Sequence, residues 1–309
     1  MTLKYCHRYK INEVEILLVS DMAFDEPFYS TLSCFVSNNN INSKINMFIE
    51  YCTNHNTDFD VDTKNYYLVS SLPYINVYKS WDINAHFIYQ ILFYAEDKQT
   101  SKLLLLNIAF CNCDFSEIKI IGINNNLRKI NTNLINPLST SVGSTLLLGC
   151  YLQSNDLGLS LHASAVTYYG KAIIFVGPSG AGKSTMREIW QSFGHTAIGN
   201  DRIIIDSKMM CTGTPYERTI DWIDHKAYNV IAMFYISHGK ENIISTESNI
   251  LLFYKLMKQC IVPVWLNNGI VKTVMGVNNI LKNIPVYSFS FIPNESAYRC
   301  CIEFIKTNL

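Results

Sequence analysis

The chain has no excess charge of either sign, with 25 Lys and Arg set against 25 Asp and Glu. That removes the electrostatic case for nucleic acid or an anionic membrane surface as a partner. No apolar run reaches transmembrane length, and the opening MTLKYCHRYKINEVE lacks the apolar segment of a signal peptide. The expectation is a cytoplasmic protein that uses neither nucleic acid nor membrane. Cysteine is plentiful, at ten residues, but no C-x-x-C occurs; Cys111-Asn-Cys113 and Cys300-Cys301 are the only close pairs. A zinc site therefore has no ligand spacing to build on, and scattered reduced thiols are expected. There is no fixed-period repeat. Residues 1–135 carry no catalytic constellation.

What is present is the composition of a folded globular protein, 49% hydrophobic and 16% charged over 309 residues. The first part reads as β-rich. Val14–Val19, Tyr66–Leu72, Ile75–Trp81, His86–Ala95, Leu103–Phe110 and Ile118–Ile123 are short runs rich in β-branched, aromatic or other apolar residues. Pro137 and a Ser/Thr/Gly cluster between Leu134 and Ser144 mark the best boundary. It separates a β-rich region, 1–138, of unassigned function from a second domain, 139–309. In the second domain Thr145–Gln153 reads as an apolar helix and Leu159–Val166 as one strand. Asn229–Ile236 and Val286–Ile292 follow as strands, and Ile250–Gln259, Val271–Leu281 and Glu295–Lys306 as helices. The fold class expected is α/β in the broad α+β sense.

The informative stretch is 171–190, KAIIFVGPSGAGKSTMREIW. Ala172–Val176 reads as a buried strand and Thr185–Trp190 as a helix. Between them Gly177-Pro-Ser-Gly-Ala-Gly-Lys-Ser184 matches G-x-x-x-x-G-K-[ST] in full. Chemistry explains the pattern: glycines let successive N–H groups turn onto one anion, and the helix N-terminus adds its positive end. The nucleotide-binding residues expected are Gly177, Pro178, Ser179, Gly180, Ala181, Gly182, Lys183, Ser184 and Thr185. Lys183, expected as an exposed point charge, would reach the β- and γ-phosphates, and the Ser184 hydroxyl would sit on Mg²⁺.

Phosphoryl transfer also needs a carboxylate, and two follow the loop, Asp201 and Asp206. Distance separates them. A helix over 184–193 carries the chain ~15 Å from the phosphates. A return strand starting after Gly194 covers that in four to five residues at ~3.3 Å each, which ends at Gly199–Asp201. His195–Ile198 is therefore read as the return strand, Asn200-Asp201 as the tip beside the phosphates, and Ile203–Asp206 as the strand leaving it. His162 falls on a strand paired with or next to the P-loop strand, either as a functional group or as a hydrogen-bonded core residue. Gly213-Thr-Pro-Tyr216 reads as a turn, with Arg218 beyond it as a second candidate for phosphate oxygens.

Together Leu161-His162, the Gly177–Ser184 loop, Gly194-His195 and Asn200-Asp201-Arg202 resemble the HPr kinase/phosphorylase-like family. That family shares its nucleotide-binding core with ATP-dependent phosphoenolpyruvate carboxykinases. Gly213-Thr-Pro215 and Glu241-Asn242 look like a subgroup of bacterial kinase-like proteins often tied to modified-peptide biosynthesis. The resemblance covers roughly residues 140–309. It implies a mixed-sheet P-loop kinase core using ATP and Mg²⁺, with His162 near the transferred phosphate and an acidic pair supplying base and metal ligand. The first member of that pair is here Asn200, and an amide does not accept a proton. Asp201 remains as the metal ligand. Asp201 or His162 then takes the base role, or a loose transition state needs little activation of the acceptor. Asn200 would be adapted, for example to bond a phosphate oxygen. The function implied is transfer of the γ-phosphate to a Ser or Thr hydroxyl of a peptide or small protein. The alternatives are a non-catalytic ATP-binding sensor or scaffold and a small-molecule kinase.

Overall fold

The computed structural model describes residues 5–21, 36, 44–54, 62, 64–96, 100–123, 146–215 and 224–308. The 134–144 boundary and Arg218 lie outside the described residues. The first eight strands are β1 (Tyr5–Ile11), β2 (Val14–Ser20), β3 (Met47–Asn54), β4 (Tyr66–Leu72), β5 (Ile75–Ser80), β6 (Tyr89–Glu96), β7 (Leu103–Cys111) and β8 (Glu117–Ile123). They form one mixed sheet in the order β1-β2-β3-β8-β7-β6-β5-β4. The pairs β2–β3 and β3–β8 are parallel. Alternation does the work here: in β2, Val14, Ile16 and Leu18 are buried on one face, and Ile49, Tyr51, Ile118 and Ile120 continue that face across the sheet.

That face is covered by residues from the other half of the chain. Helix α1 (Leu148–Ser154) lays Leu148, Tyr151 and Leu152 into the same cluster, together with Ile204, Trp265 and Leu266. Across the same junction Asn12 Nδ2 donates to Asp206 Oδ2 at 3.0 Å.

The second sheet follows: β9 (Gly158–Leu161), β10 (Ala163–Tyr168), β11 (Lys171–Val176), β12 (Ala197–Gly199), β13 (Ile203–Asp206), β14 (Met210–Gly213), β15 (Tyr228–His238), β16 (Ile243–Ser245) and β17 (Val286–Phe291). Its main path runs β12-β10-β11-β15-β14-β13-β9, with β17 on β15 and β16 on β17. Strands β11, β15 and β17 are mutually parallel. Helices α2 (Lys183–Ser192) and α5 (Glu295–Asn308) cover one face and α3 (Asn249–Met257) and α4 (Gly269–Asn283) the other. A strand buried on both sides reads as a continuous apolar run, which is what Ala172–Val176 is. Ile173 and Phe175 face α2 and α5, while Ile174 and Val176 face α3 and α4.

The protein is thus mixed α/β, built on two mixed sheets and five helices among the described residues. No helix among them is long and apolar enough to cross a membrane. Two expectations are corrected. Leu159–Val166 is not one strand: it breaks at His162 into β9, which pairs β13, and β10, which pairs β11 and β12. Gly213 does not open a turn directly after the leaving strand; it ends β14, which runs back antiparallel to β13.

Because α1 is shared between the two sheets' layers, we expect one cooperative unfolding transition. Leu148 is fully buried in the shared cluster, and Leu148→Ala should destabilise the whole chain by about 2–5 kcal/mol. Denaturant titration followed by tryptophan fluorescence and by far-UV circular dichroism checks this; two separate transitions would refute it.

Candidate functional site

The loop between β11 and α2 is shaped by backbone that only glycine adopts easily. Gly180 and Gly182 have φ of +78° and +93°. A Cβ at Gly182 would also stand 2.6 Å from Phe291 Cζ. Gly182 serves as the N-cap of α2, and the first intrahelical bond is Met186 N–H to Gly182 O at 2.8 Å. The amides from Gly182 to Thr185 therefore precede the helical ladder and carry its positive end. Lys183, Met186, Arg187 and Trp190 line the buried face of α2. The helix stops where Gly194, at φ +87°, donates its N–H to Gln191 O.

Lys183 departs from the expectation of an exposed charge. It is only 6% exposed, and its Nζ donates to Gly177 O at 2.8 Å and Pro178 O at 2.9 Å. Burial pulls its pKa from the ordinary 10.5 down to about 8; the Asp201 charge works against that fall and the Arg202 charge adds to it. Ser164 Oγ, on β10, donates to Lys183 O at 2.9 Å and ties the first turn of α2 to the sheet. Ser184 is exposed and Thr185 half-buried.

Beside the loop the chain changes from one part of the second sheet to the other twice. One crossing is His162, between β9 and β10; the other is Asn200-Asp201-Arg202, between β12 and β13. The two crossings meet, with His162 Nε2 at 3.4 Å from Asp201 Oδ1. Arg202 Nε stands 4.0 Å from Asp201 Oδ2. The His162 hydrogen bond, ahead of the Arg202, His162 and Lys183 charges, holds the Asp201 carboxyl below the usual carboxylate range, although its burial opposes the shift. Asp201 is thus an ionised carboxylate near neutral pH, with its side chain 37% exposed.

Asn200 is placed differently. It is 7% exposed, and its Oδ1 accepts from Arg187 Nε at 2.9 Å, a bond inside the protein between α2 and the crossing. Arg187 itself is 2% exposed and also reaches Gln191 and Glu188. The sequence reading overlooked Arg187. Its signal was the helical spacing that puts it on the same buried face as Lys183, four residues on. His238, also overlooked, ends β15 and lies with Nε2 3.1 Å from Gly180 O.

Asp206 is bonded elsewhere. Its Oδ1 accepts from the amides of Lys208 and Met210 at 2.8 and 2.9 Å, and its Oδ2 from Asn12. It caps the β13–β14 turn at the far end of β13 from Asp201. A cleft of about 690 Å³ lies at that far end too, against Gly158, Asp206, Met209, Lys272 and Met275. Its lining includes none of Gly177–Thr185, His162 or Asp201. Of the softer expectations, Asn242 is structural, donating to Ser296 Oγ and accepting from Ile292 N–H. Chemically, the glycine loop with its helix end suits an oxyanion. The ionised Asp201 and the Ser184 hydroxyl are hard oxygen donors of the kind Mg²⁺ takes. Matched against known proteins, the chain fits no family model and no curated protein.

Two outcomes follow for titration with Mg²⁺ and nucleotide. Asp201→Asn should weaken Mg²⁺-dependent binding about tenfold or more, whereas Asp206→Ala should leave it unchanged and destabilise the fold by about 1–3 kcal/mol. The reverse pattern, read by calorimetry and thermal melts, would overturn the assignment.

The second concerns pH. Lys183 is charged below its pKa of about 8, so affinity for polyphosphate should fall as pH rises through that value, approaching tenfold per pH unit. Stability runs the other way. The unfolded chain holds this proton more tightly, so between about 8 and 10.5 the ligand-free fold gains stability from Lys183 as pH rises. Lys183→Arg should flatten the affinity profile, and an unchanged profile in that variant would exclude Lys183 as its source.

Proposed function

We propose that this chain is an ATP- and Mg²⁺-dependent kinase of the HPr kinase-like type, transferring the γ-phosphate to a Ser or Thr hydroxyl of a peptide or small protein. One observation carries the reading. The glycine loop capping α2 stands beside two chain crossings whose only acid, Asp201, is ionised and paired with His162. The order of motifs resembling the HPr kinase/phosphorylase-like family supports it.

Ser184 and Asp201 would hold Mg²⁺, which when bound neutralises charge on the transferring phosphoryl group. The amides of the loop and of Gly182–Thr185 orient the phosphates, and Lys183 exchanges its two loop carbonyls for phosphate oxygens. His162 is assigned as proton acceptor for the substrate hydroxyl: the His162 bond and the neighbouring cations weaken the Asp201 carboxylate as a base, Asp201 would also be taken up by Mg²⁺, and Asn200 is an amide bonded to Arg187. A non-catalytic ATP-binding sensor is the second reading, favoured by that same amide, which leaves a single carboxylate where the family has two.

The test is incubation with γ-labelled ATP, Mg²⁺ and the peptides encoded beside the gene. Label appearing on a peptide hydroxyl, and lost in His162→Ala, is the outcome expected. Asn200→Asp should not raise the rate, because the new carboxylate would face the Arg187 guanidinium as its ion partner, which lowers its pKa and leaves it a weak base. A gain of about tenfold or more, the lower end of general-base effects, would show that position 200 is a vacant base site. ATP bound with no transfer to any of these peptides would favour the sensor.

A further inference from the structure

On the opposite side of the loop from Asp201 stands a group that the phosphate chemistry does not use. Strands β10 and β12 lie on one side of β11, and β15 and β17 on the other. The parallel strands β11, β15 and β17 end on one rim, at Val176, His238 and Phe291. In sheets of this kind ligands lie outside the carboxyl ends of the strands. His162 and Asp201 arrive from the β10 and β12 side. A polyphosphate whose terminal phosphate points at Asp201 must therefore direct its other end over β15 and β17.

His238 occupies that end. A carbonyl only accepts, so the 3.1 Å contact with Gly180 O puts a proton on His238 Nε2 and fixes the ring's direction. One face of the ring leans on Phe291, with centroids 5.3 Å apart and planes at 32°. Its Cε1 stands 3.0 Å from where a Cβ on Gly182 would be. The residue is nonetheless exposed. The result is an exposed aromatic ring held against the loop by Gly180 and Phe291.

Resting on the nucleotide reading above, we propose that His238 is the nucleoside-side residue of this site, presenting its ring to the base or ribose. Base stacking on an aromatic face tolerates any base, so the contact favours nucleotides over bare polyphosphates and does not choose adenine over guanine.

The test compares ATP, ADP and inorganic tripolyphosphate, each with Mg²⁺, by calorimetry on wild type, His238→Ala, His238→Phe and Lys183→Ala, with melts to confirm folding. His238→Ala should weaken ATP and ADP about tenfold and leave tripolyphosphate unchanged. His238→Phe, which keeps a ring without the Gly180 bond, should recover most of the loss. Equal loss for nucleotide and tripolyphosphate would mean that His238 only props the loop, and no loss for either would mean that it does nothing; both overturn the proposal. A wild type that binds none of the three ligands, and is indistinguishable from Lys183→Ala, removes the phosphate-loop reading itself and this inference with it.

Discussion

The site depends on a constraint of strand pairing. β15 pairs β11 along one edge, and along the other it pairs first β14 and then β17. The sheet therefore has two branches, and a chain running through both must leave one ladder to join the next. It does so twice beside the glycine loop, at His162 and at Asn200–Arg202. Within a ladder a side chain points to one face or the other, and here both faces are buried. At a crossing that alternation lapses. Leu161 and Ala163 are fully buried, while His162 between them and Asp201 on the other crossing stay partly open. Polar groups can sit at these positions without the desolvation penalty they would meet one residue away.

The Arg187–Asn200 bond sets the second crossing against α2. A fully buried guanidinium is tolerated only with its donors used, and Arg187 reaches Asn200, Gln191 and Glu188. The helix that follows the glycine loop and the segment that carries Asp201 are thereby joined side chain to side chain. An amide suffices for that bond and adds no second negative charge beside Asp201, which lies near the Lys183 and Arg202 charges. Electrostatics at this point favours an anionic ligand, and a second carboxylate at position 200 would reduce that preference.

How much of this the sequence discloses depends on how local each determinant is. Strand, loop and helix over 171–192 are written in consecutive residues, and they form as read. Asp201 rather than Asp206 followed from counting helix rise against strand rise, because the return path is forced. The break at His162 was illegible: Leu161-His-Ala-Ser164 has no glycine or proline, and only pairing with β13 on one side and β11 on the other divides it. β14 was missed because Gly213-Thr-Pro215 signals a turn whether or not a strand precedes it. The burial of Lys183 depends on how its own loop turns the Gly177 and Pro178 carbonyls onto the ammonium, which residue types do not show, and the Arg187–Asn200 bond spans thirteen residues. β1 and β3 were not singled out, although their alternation is no weaker than that of β2.

The N-terminal sheet bears on the site through packing. The segment after α3 lies along β9: His162 N–H donates to Gln259 O at 2.8 Å, and Ile261 N–H to Ser160 O at 3.3 Å. That segment is held in turn from α1, where Gln153 Nε2 donates to Ile261 O at 2.7 Å. Both α1 and the nearby Trp265 and Leu266 are seated in the core of the first sheet. The backbone of His162 therefore rests on a strand-like segment braced by α1, and α1 rests on the first sheet. A crossing residue has lost one ladder and not yet joined the next, so it needs such bracing more than any strand residue does. That requirement gives the first sheet a physical reason to be attached to this core.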